Sequence, residues 1–332
     1  MSTRLAAAPE AVVDAVGHPR FGAYEGFLTH STWDGLRAPH ARAATWTRLH
    51  RKRWQYAGIM TSDVVAAVAI VDVGWAANAF AYVFDRGTRT LLADTTVMGV
   101  SGLSAQVSES AGSGVTRFRG LGLTATCEAI GPRRWQLTAR GRKGLAFDIT
   151  LDGTGAPPTL CVVAPIAGGV GNATHKTVGV RVTGTVTAGG TTFTVDGGSG
   201  LLDHTSGLLG RDTQWHWAAA TGPGLGLNLS SGFMGSSENA FFLGDRVQVL
   251  GPAEFRFDRA RPLEPWHLRT GCGRLALTFT PEGLRAQRKN FGVALSDYVQ
   301  PIGRFDGTVR VGEETVAVNA LAGVTEDHVA RW

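Results

Sequence analysis

Titratable side chains stand next to large aromatic ones in one glycine-rich stretch, DGGSGLLDHTSGLLGRDTQWHW, at residues 196–217. Asp203 and His204 are adjacent, and Trp215 and Trp217 alternate. Alternate residues of a strand share a face, so the two indoles would lie together. A buried carboxylic acid can donate a proton, and histidine is a common acid or base. The stretch predicts either a pocket for an apolar ligand, with Asp203 and His204 as catalytic candidates, or a glycine-rich turn before an ordinary core strand.

Five polar residues outside this stretch are further candidates. Glu238 ends a glycine- and serine-rich loop, where a carboxylate could act as a general acid or base, and Asn239 follows it. Asp297 and Gln300 stand in an otherwise apolar region, and His328 is close to the chain end. We name Glu238 as a third catalytic candidate and the other four as candidate ligand-binding residues. The alternatives are a solvated loop charge, an ordinary inter-strand loop and a docked chain end that only packs.

An aromatic pair marks the first strong strand signal, RWQYAGIMT at residues 53–61. Trp54 and Tyr56 alternate and therefore share one face of this strand. Ligand pockets are lined mostly by apolar and aromatic side chains, with a few polar anchors. We therefore group this pair with Trp215 and Trp217 as candidate substrate-binding residues.

The sequence carries no pattern that predicts a cofactor or a metal ion. Cys127, Cys161 and Cys272 are far apart and odd in number, which fits neither a zinc site nor a disulfide framework and favours a reducing cytoplasm. Phosphate-binding loops, dinucleotide fingerprints and HExxH motifs are missing. The net charge of +5 comes from scattered basic residues, which argues against nucleic-acid binding. The apolar run at 64–73 is too short to span a bilayer, so we expect no stable membrane insertion.

Short strand signals separated by glycine-rich or charged turns fill most of the chain. The chain of 332 residues has 45 glycines and 18% charged residues, which is typical of β-rich proteins when valine and threonine are also common. Only residues 5–16 have a composition compatible with a helix. Many short strands without helices between them predict an antiparallel barrel or sandwich. The strands after Trp217 look like a second round of the same architecture.

One segment carries a pattern that we recognise. It reads HKTVGVRVTGTVTAGGTTFTVDGGSGLLDHTSG, from 175 to 207, and WHW follows at 215–217. It resembles the tandem-lipocalin (double calycin) superfamily, in which a hairpin precedes Gly-x-x-Asp-His and then Trp-x-Trp. Carotenoid 1,2-hydratase, tocopherol cyclase-like proteins, Diels–Alderase pericyclases and yeast survival-factor lipid-binding proteins belong to this superfamily. Where its members often have Trp-Gly after Asp-His, this chain has TSG at 205–207, which changes the pocket wall.

Four other segments are similar to a bacterial family of unknown function, of the DUF2804 type. They are KRWQYAGI at 52–59, SSENAFFLG at 236–244, PW at 265–266, and the final E-x-H-x-A-R-W at 326–332. Together they extend the resemblance over nearly the whole chain. Asp203, His204, Trp215 and Trp217 match the superfamily pattern.

The resemblance implies an all-β chain of two tandem lipocalin-like (calycin) antiparallel β-barrels with a short N-terminal arm that is helical or irregular. We place the arm at residues 1–40, the first barrel at 41–210 and the second at 211–332. The site is then expected near the barrel interface or in the mouth of the first barrel.

Three functions remain open at this point. The first is a cofactor-independent lyase or isomerase, such as a hydratase or cyclase, that acts on a lipid-, terpenoid- or polyketide-like molecule with a pocket carboxylate as acid. The second is a non-catalytic lipid-binding or carrier protein. The third is a carbohydrate-active protein, since paired carboxylates with tryptophan platforms also suit sugars. The expected partner is an apolar small molecule, and a homodimer is left open.

Overall fold

The computed structural model of the protein describes residues 4–332, and nearly all of its regular structure is β-strand, as predicted. The N-terminal region holds β1 (Ala6–Ala7), β2 (Gly22–Glu25) and helix α1 (Ala44–His50). The next strands are β3 (Arg51–Met60), β4 (Val64–Asp72), β5 (Ala77–Asp85), β6 (Thr90–Gly99), β7 (Ala105–Gln106), β8 (Val115–Gly120), β9 (Leu123–Gly131), β10 (Arg134–Gly141), β11 (Ala146–Asp152), β12 (Leu160–Pro165), β13 (Gly171–Ala188), β14 (Thr191–Thr194) and β15 (Ser199–Leu208). A 3-10 turn at Arg142–Gly144 joins β10 to β11.

The remaining strands form a second sheet. They are β16 (Asp212–Gly222), β17 (Leu225–Ser231), β18 (Ala240–Leu243), β19 (Arg246–Val249), β20 (Ala253–Arg256), β21 (Trp266–Thr270), β22 (Leu275–Asn290), β23 (Leu295–Val311) and β24 (Glu314–Arg331). The first sheet runs β6-β5-β4-β3-β15-β13-β11-β10-β9-β8-β7 and curls into a nearly closed barrel. The second runs β19-β18-β17-β16-β24-β23-β22-β21-β20 and forms a half-barrel.

The N-terminal arm is extended and irregular, with no helix in the described residues 4–40. The helix-compatible composition of residues 5–16 is therefore misleading. β2 pairs with β12 on the flank of the first barrel, and Val12, Leu28 and Trp33 are buried against it. Packing of these side chains against the sheet outweighs the weak local helix propensity. No helix among residues 4–332 is long and apolar enough to cross a membrane.

Three apolar layers make up the body of the molecule. One fills the first barrel and one fills the second. The third lies between the barrels and takes side chains from both sheets, including Met60, Phe84 and Phe242. β4 contributes to the first barrel's interior with one face and to the middle layer with the other, which explains its almost unbroken apolar sequence.

Two glycines allow long strands to serve two layers. Gly179 has a left-handed φ of +69° and lies in a bulge of β13. Before the bulge, even-numbered side chains such as Val178 face the middle layer, and after it even-numbered side chains such as Val180 face the interior of the first barrel. Lys176 precedes this bulge and faces the middle layer. Gly283 lies at a second bulge, in β22, where an added Cβ would collide with the ring of Phe84. Both positions bring the barrels close together.

Candidate active site

A cavity of about 150 Å³ lies in the layer between the two barrels. Eight aromatic side chains contribute to its wall: Trp54, Tyr56, Phe80, Trp215, Trp217, Phe233, Tyr298 and Trp332. They come from both sheets, because β3 and β5 supply one side and β16, β23 and the chain end supply the other. The polar groups of the site therefore face a largely aromatic and apolar space.

Hydrogen bonds hold the aromatic wall in place. Trp217 meets Tyr56 edge to face, with ring centroids 5.6 Å apart, and its indole N–H donates to Asn228 Oδ1 at 2.9 Å. The hydroxyl oxygens of Tyr56 and Tyr82 are 3.1 Å apart. Burial raises the pKa of Tyr82 to about 12 and that of Tyr56 well above its ordinary value. Both phenols therefore stay protonated near neutral pH.

Lys176 lies between two carboxylates at one side of the cavity. Its Nζ is 2.7 Å from Asp203 Oδ2 and 3.0 Å from Glu238 Oε2, and all three side chains are at most 10% exposed. Burial alone would lower the pKa of Lys176, but the two carboxylates outweigh it and raise that pKa above its ordinary value. The ammonium therefore stays charged, and the trio carries a net charge of −1 when both acids are ionised.

The two carboxylates of this trio differ in their free hydrogen-bonding capacity. Asp203 Oδ1 accepts hydrogen bonds from the hydroxyls of Thr174 and Thr205, each at 3.3 Å, while Oδ2 is taken by the lysine. Among residues 4–332, no hydrogen bond reaches Glu238 Oε1, although Glu238 also lines the cavity. Asp203 thus anchors Lys176 and has neighbours at both oxygens, whereas Glu238 keeps one oxygen free for a ligand.

Three polar atoms without partners lie on a neighbouring part of the wall. Tyr298 Oη and Gln300 Oε1 are buried and make no hydrogen bond within the described chain. Arg285 is 2% exposed and donates from Nε to Asp94 Oδ1 at 2.9 Å and from Nη2 to Thr96 Oγ1 at 3.5 Å, while its Nη1 has no hydrogen-bond partner among residues 4–332. Burial would lower the pKa of Arg285, but Tyr298 and Asp94 raise it, so the guanidinium stays charged. Buried polar groups normally find partners, so this wall has capacity for a ligand oxygen.

A second carboxylate network closes the cavity near the chain end. Glu326 Oε1 accepts from the Trp215 indole at 2.9 Å, and Oε2 accepts from Gln300 Nε2 at 2.6 Å. His328 Nδ1 lies 3.3 Å from the same Oε1, and its ring packs against that of Trp215 with centroids 4.2 Å apart. The β16–β24 ladder explains this contact, since Trp215 is paired with His328 and Trp217 with Glu326.

The cavity brings together eight of the eleven residues named from the sequence: Asp203, Glu238, Trp54, Tyr56, Trp215, Trp217, Gln300 and His328. It does not include His204. Because Asp203 and His204 are neighbours on a strand, their side chains point to opposite faces. His204 is buried on the far face, where its Nε2 lies 2.8 Å from the Ser108 carbonyl oxygen, and burial lowers its pKa.

Asn239 and Asp297 are also outside the cavity wall. Asn239 Oδ1 accepts from the Ser230 amide at 2.6 Å, and its Nδ2 donates to the Gly251 carbonyl at 3.1 Å, so it fixes the loop that carries Glu238. Asp297 is next to Tyr298 on β23 and therefore faces the other way, where it forms a 2.8 Å ion pair with Arg259.

Four titratable residues of the cavity wall were not among the site candidates named from the sequence: Lys176, Arg285, Tyr298 and Glu326. Lys176 stands in the polar run NATHK between apolar strands, and this contrast was an available signal. Arg285 gave none, because LRAQRKN at 284–290 reads as an ordinary exposed strand end. Residues 4–332 contain no cluster of histidine, cysteine or carboxylate groups that could hold a metal ion.

Comparison of the sequence with known protein families identifies the family of this chain. The sequence matches the family described as Domain of unknown function (DUF2804) over residues 4–332. The chain belongs to the DUF2804 family. No protein with a curated description matches it.

Solved structures show that this chain shares a known fold. CghA superposes with a TM-score of 0.59 at 11% identity, over 98% of this chain and 97% of CghA. A protein from Nitrosomonas europaea assigned as AttH gives 0.54 at 12% identity, over 88% of this chain and 96% of its own. Kievitone hydratase from Nectria haematococca gives 0.51 at 13% identity, over 89% and 93%. These likenesses confirm the tandem calycin-like fold.

Proposed function

We propose that the protein is a cofactor-independent lyase or isomerase that acts on a largely apolar small molecule carrying a carbonyl group. The observation that carries this proposal is the free Oε1 of the buried Glu238, which shares an aromatic cavity with the unpartnered Tyr298 Oη and Gln300 Oε1. A base and a hydrogen-bond donor in one water-poor cavity are the parts needed for proton abstraction next to a carbonyl.

Glu238 is the proposed base. Its free oxygen takes a proton from the carbon adjacent to the carbonyl, and the electron pair of that C–H bond moves towards the carbonyl oxygen. An isomerase then returns the proton to a different carbon. A dehydrating lyase instead breaks the β-C–O bond as the electron pair returns from the carbonyl oxygen, and the hydroxyl group leaves as water with the proton that Glu238 has taken; a hydratase runs the same steps in reverse.

Arg285 and Tyr298 would stabilise the negative charge that develops on the carbonyl oxygen. The guanidinium lies over the tyrosine ring, 5.0 Å from its centroid, so both donors converge on one region. Burial raises the pKa of Tyr298, which keeps its hydroxyl proton available. Fixed donors in a water-poor cavity are worth more than in water, because little reorganisation is needed when the charge forms.

Lys176 and Asp203 position the base. Lys176 would offset part of the charge of Glu238, and Asp203 holds the lysine with the help of Thr174 and Thr205. This assignment differs from the expectation that Asp203 itself is the acid, because Asp203 has neighbours at both oxygens and Glu238 Oε1 has none among residues 4–332.

Two other functions predict different results. A carrier needs only the aromatic wall, which this cavity also supplies. A glycosidase needs two carboxylates with open space between them for the scissile bond. Here Lys176 occupies the space between Asp203 and Glu238, which argues against sugar chemistry. Kievitone hydratase, one of the proteins with this fold, is by its name a hydratase, and this supports the lyase proposal.

Deuterium uptake from solvent tests the proposal without a known product. The protein is incubated in D₂O with a panel of aryl and unsaturated ketones, and mass spectrometry follows carbon-bound deuterium. Native mass spectrometry of the purified protein shows whether a compound co-purifies, and mass spectrometry of its lipid extract identifies that compound. The panel is then narrowed to compounds that co-purify. We expect exchange with the parent protein and a loss of about 100-fold or more with Glu238→Gln, as for removal of a general base.

Glu282→Gln is the matched control. Glu282 is also a buried glutamate at the barrel interface, but it pairs with Arg86 and lies outside the cavity wall. This variant should lose stability and keep the exchange rate. If ketones bind but neither the parent protein nor any variant raises deuterium uptake above the solvent background, the protein is a carrier. If Glu238→Gln exchanges at the parent rate, the assignment of the base is wrong.

A further inference from the structure

We propose a second activity for the protein: the hydrolysis of apolar carboxylic esters by Ser296 at the rim of the interface cavity. His328 would be the base, and Glu326 would orient the histidine. The proton-transfer steps proposed above do not use Ser296, so the two activities can be tested separately. The inference rests on the arrangement of these three side chains, which lie where β23 begins and β24 ends.

The hydrogen bonds follow the order nucleophile, base and carboxylate. His328 Nε2 lies 2.9 Å from Ser296 Oγ, and His328 Nδ1 lies 3.3 Å from Glu326 Oε1. An ionised carboxylate can only accept hydrogen bonds, so the proton of the neutral ring belongs on Nδ1. Nε2 is then the acceptor for the serine hydroxyl. This is the constellation of a Ser–His–Glu triad, which recurs on unrelated folds.

Strand register explains why these residues meet. Tyr298 is directly opposite His328 in the β23–β24 ladder, and Ser296 is opposite Ala330. Residues two apart on a strand share a face, so Ser296 and His328 are diagonal neighbours on the cavity side. Glu326 is two residues before His328 on the same face. The arrangement therefore follows from the backbone and does not depend on a mobile loop.

The base is held rigidly. Glu326 also accepts hydrogen bonds from the Trp215 indole and the Gln300 amide, so its carboxylate has three donors. The Trp215 ring packs on the His328 ring with centroids 4.2 Å apart. A histidine fixed in orientation and tautomer is what a nucleophilic serine requires.

A cation lies beside the serine. Lys289 is directly opposite Ser296 in the β22–β23 ladder, and Cβ atoms of such pairs are about 5 Å apart. Lys289 is half-buried and forms no ion pair within residues 4–332. Burial lowers its pKa, and the nearby Arg285 lowers it further. In this proposal its ammonium offsets the negative charge that forms on the ester oxygen during attack.

The cavity wall suggests the substrate class. Ser296 is half-buried beside His328, and His328 and Trp332 line the aromatic cavity. An acyl chain bound in the cavity would present its ester group at the rim. We therefore expect aryl or medium-chain acyl esters to be better substrates than acetate esters.

The only reactants are the ester and water. Ser296 Oγ bonds to the ester carbonyl carbon while its proton moves to His328 Nε2. The C–O bond to the alcohol then breaks, and the alcohol leaves with that proton. Water, deprotonated by His328, attacks the acyl-serine, and the carboxylic acid is released while Ser296 recovers its proton.

Activity-based labelling tests the proposal on the intact parent protein. A fluorophosphonate probe is added, and peptide mass spectrometry locates the modified residue. In parallel, hydrolysis of p-nitrophenyl acetate, butyrate and octanoate is measured for the parent, Ser296→Ala, Glu326→Gln and Ser101→Ala. Ser101 is the matched control, since its hydroxyl donates to the Asp72 carboxylate but contacts no histidine. Melting curves verify that each variant is folded.

We expect the probe on Ser296, and a decrease in kcat/KM of about 100-fold or more for Ser296→Ala, as when a triad nucleophile is removed. Ser101→Ala should keep the parent rate. Glu326→Gln should lower kcat more than it changes KM and should shift the pH profile, because it acts through His328. A label on other residues only, no label at all, or a folded Ser296→Ala that hydrolyses the esters at the parent rate would overturn the proposal.

Discussion

Replacement of Lys176 by methionine tests the charge arrangement of the cavity. The lysine side chain is 6% exposed and contacts two carboxylates that are 10% and 5% exposed. Removing one partner from a buried ion pair costs about 3–5 kcal/mol, because the opposite charge is left uncompensated. We expect Lys176→Met to lose about this much of its free energy of unfolding at pH 8, measured by urea denaturation.

The pH dependence distinguishes a charge effect from a packing effect. Without the ammonium, two buried carboxylates would share one site with no cation, so we expect the folded variant to take up a proton between Asp203 and Glu238, whereas the unfolded chain binds none there above about pH 5. The folded state then binds more protons than the unfolded state, so its stability falls as the pH rises. The deficit of the variant should therefore shrink by about 1.4 kcal/mol per pH unit on going from pH 8 towards pH 5.

Lys52→Met is the matched control. Lys52 is also buried, but its ammonium donates to the carbonyl oxygens of Leu49 and Val73, and burial lowers its pKa to about 8. Between pH 5 and 7 the stability deficit of this variant should be nearly constant. Lys176→Met combined with Asp203→Asn and Glu238→Gln should recover most of the loss. The reasoning is refuted if the deficit of Lys176→Met is absent or does not change with pH.

Three further predictions concern other parts of the chain. Burial lowers the pKa of His175 well below 6.5 and also lowers that of His204, so both fold uncharged. The unfolded chain therefore binds more protons than the folded protein, and below pH 6.5 each histidine should lower the free energy of unfolding by up to about 1.4 kcal/mol per pH unit. Urea denaturation at several pH values should show this slope in the parent protein. The control variant His267→Gln, which replaces an exposed histidine, should show the same slope. Among the cysteines, only Cys272 is exposed, and peptide mapping after brief iodoacetamide treatment should find it alkylated and the other two intact. Gly283→Ala should cost about 1–3 kcal/mol in a denaturation curve, because its Cβ would overlap an aromatic ring of the first barrel.

The strand pattern could be predicted because each strand has a buried face with a clear signal. RWQYAGIMT at 53–61 and the apolar run at 64–73 correspond closely to β3 and β4. The N-terminal arm could not be predicted in the same way. Its residues 5–16 have no period of their own, and their conformation is set by contact with the flank of the barrel.

The site was only partly accessible from the sequence. The motif around Asp203 and the alternating Trp215 and Trp217 lie on strands that form part of the cavity wall. Strand alternation also places His204 on the face opposite Asp203 once both residues are known to be on a strand. Arg285 was out of reach, since a bulge at 281–283 turns that part of β22 towards the cavity, and no local pattern marks such a bulge.

The cavity is a property of the tandem arrangement, because ion pairs that cross the barrel interface build it. The first barrel supplies Lys176 to Glu238 of the second, and the second supplies Arg285 to Asp94 of the first. Separation would take Lys176 away from Glu238 and Asp94 away from Arg285, so the second barrel would lose the ion-pair partners of two side chains that are at most 5% exposed. Lys176 with Asp203 is formally neutral within the first barrel, so docking of Glu238 is what adds the unbalanced negative charge. The proposed base and its charged surroundings therefore form only when the two barrels are joined.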